Sequence, residues 1–295
     1  MSLVRYEVRE GVAVLALHNP PANAYSYEMF RELDDAILRA RMDDEVHVLL
    51  LRGAGEKFFC AGADIAMLER AEPSYKYYFC LHANETLLRL EHTPKLVIAA
   101  IGGHCVGGGL EVAMAADLRI AAAGSAKFGL PEISLGVLPG TGGTQRLARL
   151  VGSAKAIELM TLGETFGVDD AASLGLVSEV LPADDFSARA LAYARRFCPP
   201  AKAAKAAGLI KRAVKSGADL SLEAGLARER ELQQRLFTSE DARDGLTAYT
   251  EKRKPSFRGG EGPAFACRPP RATIAGRPRR SMPRRRDPWV CSYAP

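Results

Sequence analysis

The chain has 295 residues, of which 47% are hydrophobic and 25% charged, enough apolar material for a sizeable core. Its longest apolar run is far shorter than the roughly 20 residues a membrane helix needs, so no membrane span is expected. The net charge of +5 does not make a nucleic-acid binder of the core, because residues 259–295 hold eight arginines against Glu261 and Asp287, leaving about −1 for the first 258 residues.

In chain order, residues 4–8 and 12–17 alternate apolar and polar around Glu10-Gly11, a hairpin signal. Pro20 and Pro21 break the pattern, and Ser26 can cap a helix whose apolar stripe is Phe30, Leu33, Ile37 and Ala40. Strand and helix patterns then alternate: a strand over 46–52, a helix over 75–90, a strand over 96–101, a helix from Gly109 and a strand over 118–122. Such alternation argues an α/β fold with crossover helices. Beyond Pro182 the pattern is almost wholly helical, with candidates at 187–197, 200–215, 220–237 and 239–253. Thr238 or Ser239 is a fair N-cap, with Glu240 and Asp241 in the first turn. From 259 onward lie seven of the 17 prolines; an Arg/Pro-rich stretch cannot bury enough apolar surface to fold, so disorder is expected there.

The six cysteines (60, 80, 105, 198, 267, 291) form no Cys-x-x-Cys pair and show no metal-ligand spacing with the five histidines. No metal site is expected, and free thiols fit a cytoplasmic protein. The first residues show neither a secretory signal nor a transit peptide. Gly53-Ala54-Gly55 follows a strand as a dinucleotide fingerprint does, but Phe58 stands where the third glycine belongs and no helix start follows.

The chemistry concentrates between 101 and 132. Glycines 107, 108 and 109 lie between a strand and a helix, where backbone N–H groups lack intrahelical partners and a substrate oxygen can approach closely. Glu111 follows Gly108 by three positions and shares its helix face. A second glycine-bearing turn, Ala61-Gly62-Ala63-Asp64, could supply another N–H, completing an oxyanion hole. Asp64 could instead cap a short helix over 65–71. Taken singly, Glu111 reads as a surface carboxylate and Pro131-Glu132 as a turn.

With these elements in this order, together with Pro139-Gly140-Thr141-Gly142-Gly143-Thr144-Gln145-Arg146-Leu147, the chain resembles the crotonase superfamily, and within it the enoyl-CoA hydratases, from about Arg5 to Arg258. The resemblance implies a spiral of repeated ββα units over 1–195, a helical oligomerisation region over 196–258 and an added tail over 259–295. It implies Glu111 and Glu132 as catalytic carboxylates, Ala63 and Gly108 as oxyanion donors, Ala61, Asp64 and Ile65 as contacts to substrate or CoA, and Lys252 as a contact to CoA bound largely by a neighbouring subunit, a solvated helix end being the equal alternative for Lys252. Position 66, often lysine in hydratases, is Ala66 here. Met67, Tyr75, Tyr77, Tyr78 and Phe79 lie where the family varies its acyl-pocket wall, core packing being an equal reading of them, and the 142–146 turn is read as positioning Glu132. The implied reaction is reversible syn addition of water to a 2-enoyl-CoA thioester, in fatty-acid or related acyl-CoA degradation, with no cofactor beyond the CoA of the substrate. The implied assembly is a homotrimer or a hexamer of paired trimers. Isomerase or acyl-CoA hydrolase activity is the alternative. A nucleic-acid arm at 277–286 is a more remote one, and an inert extension is the simpler reading of that tail.

Overall fold

The computed structural model describes residues 2–259; the tail expectation, from 260 onward, lies outside the described residues. Strands β1 (Val4–Arg9) and β2 (Val12–Leu17) form the expected antiparallel hairpin. Its two-residue turn places Glu10 at φ 49° and Gly11 at φ 80°, the pair of positive values that a tight hairpin needs. Helix α1 (Tyr27–Met42) starts where the Ser26 hydroxyl accepts from the Met29 N–H. Its stripe of Phe30, Leu33, Ile37 and Ala40 is buried, as the period requires.

From there the chain coils. Strand β3 (Val48–Gly53) leads into β4 (Phe58–Cys60), then helices α2 (Ile65–Glu69) and α3 (Pro73–Glu91). Strand β5 (Leu96–Ile101) leads into β6 (His104–Val106) and α4 (Gly108–Met114); β7 (Leu118–Ala122) leads into β8 (Phe128–Gly129). A short 3-10 turn (Glu132–Leu135), α5 (Gly143–Val151), α6 (Ser153–Leu162) and α7 (Val168–Ser173) follow before β9 (Glu179–Leu181). Each coil gives one strand to a six-stranded sheet ordered β1-β2-β3-β5-β7-β9 and one to a three-stranded sheet ordered β4-β6-β8. Beyond the first hairpin these strands pair in parallel. This is the ββα spiral that the resemblance implied. The strand order never reverses, so there is no switch point of the kind at which a doubly wound sheet binds a dinucleotide. Gly53 serves the corner between β3 and β4: a Cβ there would lie 2.3 Å from the Phe58 carbonyl oxygen.

The central strands are apolar on both faces, as buried parallel strands should be. One face packs on α1, α3 and α4; the other carries Val14, Val48, Ile98 and Ile120 against α8 (Phe186–Arg195). Helices α9 (Ala204–Gly217), α10 (Leu222–Phe237) and α11 (Glu240–Thr250) follow. Ser239 caps the last of these through the Ala242 N–H at 3.1 Å. Helix α9 is fastened to the spiral by a buried ion pair, Lys211 Nζ to Asp117 Oδ2 at 2.8 Å, with side chains 4% and 9% exposed. The helix over 200–215 expected from sequence begins later, at Ala204, after the Pro199-Pro200 break. No helix among the described residues is long and apolar enough to cross a membrane.

Candidate active site

Three loops leave the C-terminal ends of three adjacent parallel strands: Ala63 follows β4, Gly108 follows β6, and Glu132 follows β8. All three line one cavity of about 270 Å³, together with Glu111. Strand ends of a parallel sheet are where backbone donors and helix N-termini converge.

The two expected donors have the geometry of donors without work. Ala63 faces Tyr25 in a parallel bridge whose hydrogen bonds run from Tyr25 N–H to the Gly62 carbonyl and from Asp64 N–H to the Tyr25 carbonyl. That pattern uses the groups on either side of Ala63 and leaves its own N–H out. Gly108 opens α4, so its N–H has no acceptor one turn back. The turns lie close together: a Cβ placed on Gly62 would stand 3.0 Å from the Gly108 nitrogen. At Gly108 itself a Cβ would lie 1.9 Å from the Tyr25 hydroxyl oxygen, so any side chain there displaces Tyr25.

Glu111 is 1% exposed. Its Oε1 accepts from the Thr141 N–H at 2.8 Å and the Gly143 N–H at 2.6 Å. Burial pushes its pKa up, and those two backbone bonds oppose the rise. Thr141 and Gly143 therefore hold Glu111, whereas sequence reading had the 142–146 turn position Glu132. Behind it, Arg146 donates to the Thr141 carbonyl at 3.0 Å and forks onto Glu91 at 2.7 and 3.2 Å. Glu132 differs in kind. Burial, and then the nearby Glu111 charge, push its pKa up to about 7, and its buried Oε2 has no hydrogen-bond partner. One carboxyl is clamped and the other stands ready for a proton.

Of the further expected contacts, Ala61 and Ile65 line the cavity. Asp64 does not; its carboxylate caps α2, accepting from Ala66 N–H at 2.9 Å and Met67 N–H at 3.3 Å. Lys252 lies exposed beyond α11, away from the cavity lining. Of the residues named for the acyl wall, Phe79 is buried in the core and Tyr77 and Tyr78 are exposed. Leu68, Leu135, Val137 and Leu138 line the cavity instead. The residues that sequence reading missed are Tyr25, whose buried hydroxyl pairs with Thr141 Oγ1 at 3.0 Å, and Lys76 of α3. Neither sits in a glycine-rich or acidic motif. The buried thiols of Cys60 and Cys105 are both pushed upward by burial, Cys60 to about 12, which is the inert state expected of packing cysteines. Among the described residues no cluster of three His, Cys, Asp or Glu side chains could hold a metal.

The Enoyl-CoA hydratase/isomerase family matches residues 7–260 of the sequence. The chain belongs to this family. As a member of the enoyl-CoA hydratase/isomerase family it is 39% identical over 248 residues to the short-chain-enoyl-CoA hydratase of Clostridium acetobutylicum, covering 83% of this chain and 94% of that one. It is 36% identical over 252 residues to the crotonyl-CoA hydratase of Syntrophomonas wolfei, covering 85% and 96%. A crystal structure of an enoyl-CoA hydratase from Geobacillus kaustophilus HTA426 superposes with a TM-score of 0.85 at 42% identity, covering 88% of this chain and 97% of that one.

Proposed function

We propose that the protein is an enoyl-CoA hydratase that adds water reversibly across the 2,3 double bond of a 2-enoyl-CoA thioester, giving the 3-hydroxyacyl-CoA. The observation that carries this reading is the pair of unlike carboxyls on one cavity. Glu111 is held by two N–H donors that favour its carboxylate, and Glu132 has a pKa near 7 and an unpartnered Oε2. An isomerase moving a proton along the acyl chain has use for one such group; hydration has use for two. The hydratase names borne by relatives at about 40% identity point the same way.

In the proposed step, Glu111 takes a proton from water as the oxygen bonds to C3. The π electrons pass to the thioester oxygen, where the Ala63 and Gly108 N–H groups hold the enolate. Each such donor is worth roughly 100-fold or more in rate. The enolate then collapses and C2 takes the proton of Glu132. Both carboxyls act from one cavity, which supports delivery of OH and H to the same face. Like charges in a partly desolvated site disfavour double ionisation, so the pair naturally carries the single proton the reaction needs. No cofactor enters beyond the CoA of the substrate. Acyl-CoA degradation in the cytoplasm, and a trimer or paired trimers, complete the reading; Leu222, Phe237 and Tyr249, all large and exposed on the C-terminal helices or their ends, support assembly.

The test is conversion of crotonyl-CoA by the purified full-length protein, followed as loss of conjugated-thioester absorbance, beside Glu111→Gln and Glu132→Gln. Hydration that falls by at least about 100-fold in each variant is expected. A wild type that binds CoA thioesters yet hydrates none would end the hydratase reading.

A further inference from the structure

The wall of the cavity carries one charge that addition of water to a plain alkyl chain does not use. Lys76 lines it in company with Leu68, Leu135, Val137 and Leu138. Its Nζ stands 5.6 Å from the Phe79 ring centroid and 4.0 Å from where a Cβ on Gly140 would lie. Among the described residues this ammonium has no hydrogen-bond or ion-pair partner. It acts on Glu132 through space, drawing its pKa down, but burial outweighs that pull and the carboxyl still sits near 7. With no ion pair joining it to Glu132, Lys76 is left as a half-buried cation beside the apolar side chains of Leu68, Leu135, Val137 and Leu138.

A substrate entering this cavity decides what happens to that charge. An alkyl tail would strip water from the ammonium and put nothing in its place, a costly desolvation. An anionic tail would replace the lost water with a charge-assisted hydrogen bond. We propose that the site selects short 2-enoyl-CoA thioesters whose acyl chain ends in a carboxylate, and that Lys76 is the residue that binds it. The inference rests on the hydratase reading for its orientation: Glu132 works at C2. Lys76 lines the same cavity of about 270 Å³, so the proposal takes a chain whose carboxylate lies shortly beyond C3.

The experiment compares kcat/KM for 4-carboxybut-2-enoyl-CoA with that for its uncharged isostere, 5-methylhex-2-enoyl-CoA, in the wild type and in Lys76→Met. Any effect of Lys76 on Glu132 acts on both substrates alike and cancels in their ratio. The wild type is expected to prefer the carboxylate, and the preference to fall by about tenfold or more in the variant, the value of a hydrogen bond between charged groups. A wild type that prefers the isostere, or a ratio unmoved by the substitution, would overturn the proposal while leaving hydration intact. If neither thioester is hydrated, the hydratase reading fails by itself. Equilibrium binding of 4-carboxybutanoyl-CoA and 5-methylhexanoyl-CoA then decides the role of Lys76: tighter binding of the anion, lost in Lys76→Met, supports it, and equal binding overturns it.

Discussion

A carboxyl that shares a proton with its neighbour leaves a signature in pH. Glu132 gives up its proton near pH 7, and hydration needs one proton on the pair, so kcat/KM should fall above about pH 7, tenfold per unit once well beyond it. Dehydration of the 3-hydroxyacyl-CoA should show the same limb, because the overall reaction neither releases nor takes up a proton. Initial rates in both directions across pH 5 to 9 would check this; limbs that differ between directions would remove the shared-proton account. At this scale the carboxylates stood out in the sequence only through the combined order of motifs, Glu111 two positions after three glycines and Glu132 next to Pro131. Tyr25 and Lys76 did not. Each is an ordinary residue of its own element and meets the site only through tertiary packing, Tyr25 across 116 positions to Thr141.

Among the elements, the clamp behind Glu111 makes the clearest demand. Arg146 and Glu91 form a largely buried pair, 12% and 15% exposed, and removing Arg146 leaves Glu91 with the longer contact to Lys215 at 3.6 Å. Arg146→Met should cost about 3 kcal/mol of stability, measured by denaturant unfolding. It should also have an effect that damage to the fold alone would not produce. The guanidinium draws the Glu111 pKa down, so its loss should move the acid limb of the kcat/KM profile to higher pH. An unmoved limb would reduce the clamp to a packing role. Elements with a long period were legible in advance: the first hairpin, the Ser26 cap, the stripe of α1 and the strand over 96–101. The second sheet was not, since β4, β6 and β8 have three, three and two residues, too short for an alternation to show. What defines them is pairing with strands about 45 and 23 positions away, and that is not a local property.

For the molecule as a whole, one buried pair joins the C-terminal helices to the spiral. Lys211→Met leaves Asp117 buried without its partner and should destabilise by about 3 kcal/mol, whereas Lys211→Met with Asp117→Leu should recover much of that loss. A double variant as unstable as the single one would show that the helix is held by other contacts. The sheet order bears on variation in the site itself. Ala63, Gly108 and Glu132 ride on three neighbouring strands, and neighbouring strands lie about 4.8 Å apart. The proposed catalytic groups are thus mounted just past successive rungs of a ladder whose spacing is fixed by backbone hydrogen bonds. Chain can be added or removed on the helical side of any coil without altering the gauge between donor, donor and acid. Acyl-chain preference is then free to drift with α3 and the segment after Glu132, while the distances that stabilise the enolate stay as the backbone lays them down.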